Sequence, residues 1–160
     1  MALFSFMKKE KEVKLKAFLS GKLIPIEEVN DGVFSAKMLG EGVAIEPDSE
    51  ELVAPADGEI AVVMENSFHA VGINLTDGTQ ILLHIGLDTV KMNGDGFICH
   101  VKSGDKVKCG QKLISFDKNK IKEAGYRDVT MLVITEPEEK RSVKFIDSCD
   151  VTAGETVISA

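Results

Sequence analysis

Short apolar runs, each broken off by a turn dipeptide, set the rhythm of the chain. Glu59 to Met64, Val71 to Leu75, Ile81 to Ile85, Lys112 to Phe116 and Val129 to Thr135 all have strand length. Between and around them stand Asp31-Gly32, Asp57-Gly58, Asp77-Gly78, Asn93-Gly94 and Gly104-Asp105. Runs this short cannot carry an amphipathic helix, and such turns return the chain on itself, so the pattern predicts an all-β antiparallel β-sandwich or barrel. A few short helical turns complete it. The best of these is Asp117 to Ala124, one or two turns ended by Gly125.

With 160 residues, 44% of them hydrophobic and 28% charged, the chain has enough apolar material for one real core. Residues 16–160 are read as a single domain. Residues 1–15 are read as a flexible tail, in which Leu3, Phe4 and Met7 can share a helical face that makes weak membrane contact, with Lys8 and Lys9 near the headgroups. A net charge of −7 argues against nucleic acid as a partner and suits a small basic protein. Cys99, Cys109 and Cys149 are too few and too uneven for a disulfide framework or a metal clip. No apolar run is long enough to span a membrane and no secretory signal pattern is present, so the expected location is cytoplasmic.

Phe68 to Val90 is the stretch richest in chemistry. Two β-type runs flank Thr76-Asp77-Gly78-Thr79, a strong hairpin signal. With Asp77 and Gly78 as the loop, His84 stands opposite Val71 and His69 opposite Gly86. Side chains alternate along each strand, so His69 and His84 become diagonal neighbours on one face, their Cα atoms about 7–8 Å apart. Gly86 leaves room beside them. An odd number of loop residues would send one histidine to the other face. His100 lacks comparable company and is read as structural.

The residues Gly78-Thr79-Gln80-Ile81-Leu82-Leu83-His84-Ile85-Gly86-Leu87-Asp88-Thr89-Val90 resemble the phosphorylation-site signature of glucose-type IIA proteins of the bacterial phosphoenolpyruvate:sugar phosphotransferase system. Gly94-Asp95-Gly96-Phe97, His69-Ala70 and Ala54-Pro55-Ala56-Asp57-Gly58 extend the resemblance over most of the chain. It implies that His84 is phosphorylated by the phosphocarrier protein HPr and passes the group to a cysteine on a IIB domain of a sugar permease. His69 would hydrogen-bond the phosphate, supported by the Ser67 hydroxyl where the family usually has threonine. The carbonyl of Gly86 would fix the tautomer of His84. Asp31 and Asp88 would be rim carboxylates facing basic residues of a partner, and Phe34, Met38, Leu39, Leu82 and Val90 an apolar docking surface. The resemblance also implies a further role, the regulation of other proteins according to phosphorylation state.

A neutral imidazole suits this task because one ring nitrogen keeps a lone pair near neutral pH. No cofactor is required for it, although two imidazoles can also hold zinc, adventitiously or bridged to a partner carboxylate. Two other functions fit parts of the text. Val90-Lys91-Met92 and the glycine-containing segments resemble biotin- or lipoyl-carrier domains, but the first methionine of Met-Lys-Met is missing. His69, His84 and Asp88 could form a zinc hydrolase, but the His-x-His pair usual on a sheet is absent.

Overall fold

A computed structural model describes residues 14–37, 39–136 and 143–159. The tail expected over residues 1–15 therefore lies almost wholly outside the described residues, as does Met38. The strands in chain order are β1 (Gly21–Pro25), β2 (Glu41–Pro47), β3 (Glu51–Val53), β4 (Gly58–Val63), β5 (Ala70–Leu75), β6 (Gln80–Leu87), β7 (Phe97–Cys99), β8 (Lys106–Val107), β9 (Lys112–Phe116), β10 (Arg127–Glu136) and β11 (Cys149–Val151). An eight-stranded sheet runs β11-β1-β2-β10-β6-β5-β4-β8, and a three-stranded sheet runs β3-β9-β7. The named strand pairs are antiparallel, as the sequence pattern predicts. The helix α1 (Lys118–Glu123) is short, with the Asp117 side chain accepting from Lys120 N–H at its start and Gly125 in the left-handed region just past its end.

The alternation of β6 shows how the layers form. Ile81, Leu83 and Ile85 are fully buried and face the main core with Val71, Ile73, Leu113 and Leu132. Leu82 and His84, on the other face, are half-buried. On that side of the sheet lies a second, smaller apolar cluster of Ile24, Ile26, Val29, Phe34, Ala44, Val129, Met131 and Val133. The sheet around β2 and β10 is thus packed on both sides. Removing a buried leucine such as Leu83 from it costs about 2–5 kcal/mol.

The β5–β6 hairpin differs from the expected register by one residue. Ala70, not Val71, stands opposite His84, and Asn74 opposite Gln80. The turn is closed by Leu75 N–H on the Thr79 carbonyl at 2.8 Å, so Thr76, Asp77 and Gly78 form the loop. The Asp77 carboxylate takes Thr79 N–H at 2.9 Å, and this extra side-chain bond accompanies the longer loop. Strict alternation would now separate the two histidines. It does not apply, because His69 lies ahead of β5, and the chain enters through Phe68 with φ of 51°, outside the pleat.

Candidate functional site

His84 sits in mid-sheet, paired with Ala70 of β5 on one side and Met131 of β10 on the other. Its Nδ1 lies 2.9 Å from the Gly86 carbonyl. A carbonyl can only accept, so Nδ1 carries the proton and Nε2 keeps its lone pair. Gly86 earns its place twice. Its φ is 76°, and a Cβ there would fall 2.5 Å from Thr89 Cγ2 and 2.7 Å from the Arg127 carbonyl.

His69 is buried at 3% exposure, and its ring meets that of His84 edge-on, with centroids 4.7 Å apart and planes at 88°. Its Nδ1 lies 2.8 Å from Ser67 Oγ. When that hydroxyl donates, His69 Nε2 carries the proton and is free to donate to an anion. His69 also anchors the hairpin, since its carbonyl accepts from Ile85 N–H at 2.7 Å.

Burial and then the neighbouring His69 push the His84 pKa down to about 4, against smaller upward pulls from the Gly86 carbonyl and Asp31. Burial also lowers His69. Both rings are therefore neutral at physiological pH. The arrangement offers one nucleophilic nitrogen, one adjacent donor and apolar walls.

The expected rim divides into three groups. Phe34 is not an exposed docking residue, because it is 7% exposed and packs its ring against His84 at 5.0 Å. The loop ahead of β2 folds it inward onto the smaller cluster. Leu39 and Val90 are exposed, and Leu82 is half-buried on the His84 face. Asp31 serves the loop. Its carboxylate accepts from the N–H groups of Val33, Phe34 and Ser35 at 2.9 to 3.2 Å, thereby placing Phe34. Burial would raise its pKa, but these three donors outweigh it and hold the group below the usual carboxylate range. Asp88 is exposed, with φ of 63°, and lies 3.9 Å from Lys91 Nζ.

Some residues of this face escaped the sequence reading. Val33 is exposed beside Phe34. Val62 is exposed opposite Gly72, which pairs with Leu82, so it extends the same face across β4. Thr89, which the quoted signature contains without a role assigned to it, is completely buried and reaches back to the Ile85 carbonyl. His100 is exposed and bonded to Ser115 Oγ at 2.8 Å, away from this constellation. Lys91 lies in a 3-10 turn, Thr89–Met92, not at a hairpin tip where a carrier lysine would sit. Among the described residues, no group of three or more His, Cys, Asp and Glu side chains is placed to hold a metal. No helix among them is long and apolar enough to cross a membrane.

Comparison with known proteins identifies the family. The chain is 45% identical over 157 residues to the PTS system glucose-specific EIIA component of Oceanobacillus iheyensis, covering 98% of this chain and 94% of that one. It is 45% identical over 121 residues to part of the PTS system beta-glucoside-specific EIIBCA component of Bacillus subtilis, covering 76% of this chain and 20% of that longer protein. Its fold superposes on the glucose permease IIA from Mycoplasma capricolum with a TM-score of 0.82 at 34% identity, covering 92% and 94% of the two chains. Residues 13–140 match the family model described as phosphoenolpyruvate-dependent sugar phosphotransferase system, EIIA 1. On these matches, this chain of paired sheets and facing imidazoles belongs to the EIIA 1 family of the phosphoenolpyruvate-dependent sugar phosphotransferase system.

Proposed function

We propose that His84 Nε2 accepts a phosphoryl group from phospho-HPr in the cytoplasm and passes it to a cysteine of a IIB domain during sugar uptake. The observation that carries this reading is the Nδ1 bond to the Gly86 carbonyl, which leaves the opposite nitrogen unprotonated. In the first step the Nε2 lone pair attacks phosphorus as the donor histidine's P–N bond breaks, and the bonding pair returns to the donor ring. In the second, the IIB thiolate attacks, the new P–N bond breaks, and the pair returns to Nε2. Phosphoryl transfer has a loose transition state, so the chain's part is to position the group and steady its charge.

His69 supplies a donor at the phosphate once Ser67 turns its hydroxyl toward Nδ1. Leu39, Leu82, Val90 and Val33 exclude water around the transfer when a partner docks. Asp88, exposed beside them, faces basic residues of the partner. The IIB partner is supported by a relative whose printed name joins B, C and A parts in one protein. No cofactor enters either step. Zinc at His69 and His84 would need its remaining ligands from outside the described residues, such as a partner carboxylate. The added charge of about −1.5 to −2 in the middle of a docking face is also enough to change which proteins bind it, which would give the chain a regulatory role.

Label transfer from radioactive phosphoenolpyruvate through enzyme I and HPr tests the reading. Wild type takes label on a histidine. His84→Gln takes none, and His69→Gln takes label that cannot move on to a IIB protein. Label in His84→Gln would end the proposal.

A further inference from the structure

We infer that Thr89 is a positioning residue, whose hydroxyl sets the tautomer of His84 by holding the peptide between Ile85 and Gly86. Thr89 is completely buried, and its Oγ1 donates to the Ile85 carbonyl. Its Cγ2 occupies the space in which a Cβ on Gly86 would lie, 2.5 Å from that position. One side chain therefore grips the peptide plane before Gly86 and walls the glycine itself.

The chemistry explains the need for a grip. Gly86 must be glycine to take its φ of 76° and to fit against Thr89 and the Arg127 carbonyl. Glycine, however, restrains its own backbone least of all residues. The carbonyl that accepts from His84 Nδ1 belongs to this permissive residue, so its direction has to be fixed from outside. The Ile85–Gly86 peptide is the nearest lever, and Thr89 holds its oxygen. The preceding peptide is held as well, because Ile85 N–H donates to the His69 carbonyl. From Thr89 to His69, consecutive bonds thus tie the backbones behind both imidazoles. Asp88, with φ of 63°, and the 3-10 turn Thr89–Met92 bring the hydroxyl back to this point.

The importance of this tautomer rests on the acceptor role proposed for His84, but the tautomer itself is read without any transfer. Ring nitrogens are observed by long-range proton–nitrogen spectra of histidine-labelled protein at pH 7, where His84 is neutral. Wild type is expected to show His84 as one Nδ1–H tautomer. Thr89→Val and Thr89→Ala, which lack the hydroxyl, are expected to show the Nε2 resonance moved toward the protonated position, with phosphoryl acceptance from phospho-HPr reduced about tenfold or more. Thr89→Ser keeps the hydroxyl and is expected to restore both. A folded valine or alanine variant with the wild-type spectrum overturns the inference, as does a serine variant no better than alanine. Where neither deletion variant folds, the serine variant can still refute the role, by showing a mixed tautomer although it keeps the hydroxyl. A wild-type protein with the Nδ1–H tautomer that takes no label would refute the acceptor role and leave Thr89's role standing.

Discussion

Acid is the perturbation that speaks most directly to the site. A histidine normally titrates at 6.5, and His84 is lowered to about 4, chiefly by burial. That difference corresponds to about 3 kcal/mol of preference for the neutral ring in the folded state. The sign follows from proton counting. Between pH 6.5 and 4 the unfolded chain binds a proton on this residue and the folded chain does not, so stability falls as pH falls across that window. The contribution is fully present above pH 6.5, is lost progressively toward pH 4, and is level below it. His69, lowered by burial, acts in the same direction. The functional consequence is the size of the reactive population: at pH 6 a ring with a pKa near 4 is about 99% neutral, whereas an unperturbed one is about one-quarter neutral. Two assays follow. Nuclear magnetic resonance titration should find the His84 ring unprotonated at pH 5.5. Urea unfolding of wild type and His84→Gln should give a stability difference that shifts against wild type by up to about 3 kcal/mol between pH 7 and 4. A His84 midpoint at 6 or above, or a difference flat across that range, would refute the burial reasoning.

Other perturbations test the supports. Gly86→Ala is expected to lose 2 kcal/mol or more, roughly, in thermal or urea melts, and to accept phosphate poorly even where folded, since the new Cβ meets Thr89 and the Arg127 carbonyl. Asp31→Ala removes the acceptor of three loop N–H groups and is expected to cost about 1–2 kcal/mol, read by urea unfolding. Phe34→Ala takes a buried ring from beside His84 and should cost about 3–5 kcal/mol while raising the His84 titration midpoint toward 6.5; an unmoved midpoint in the folded variant would separate Phe34 from the pKa. Asp88→Asn is expected to slow transfer from phospho-HPr and to flatten its dependence on salt, and an unchanged salt slope would remove the docking role.

Much of the fold was legible because the relevant forces are local. Apolar runs with period two and glycine-bearing turns specify strands and hairpins directly, and Lys112 to Phe116 matches β9 residue for residue. The hairpin register was not legible, because Asp77 can serve a two-residue turn or cap a longer one, and its bond to Thr79 is seen only in three dimensions. The meeting of the two imidazoles was foreseen for the wrong reason: Phe68 and its positive φ bring His69 round, not alternation. Nothing in the composition of Phe34 distinguishes a docking side chain from a packed one. The loop turned by Asp31 decides that, and such a loop has no periodicity to read. Val62 escaped notice because its closeness to Leu82 runs across two strand pairings through Gly72.

β6 is hydrogen-bonded along both edges and has apolar clusters on both sides of its sheet. In the transfer proposed above, a nucleophile mounted there behaves as a fixed stud. Donor and recipient must each bring their own phosphorus or sulfur to the same point in space, and whatever adaptability the exchange demands resides in those visiting surfaces. Turnover should then track how often visitors collide in a usable orientation, with no internal rearrangement of this chain to wait for.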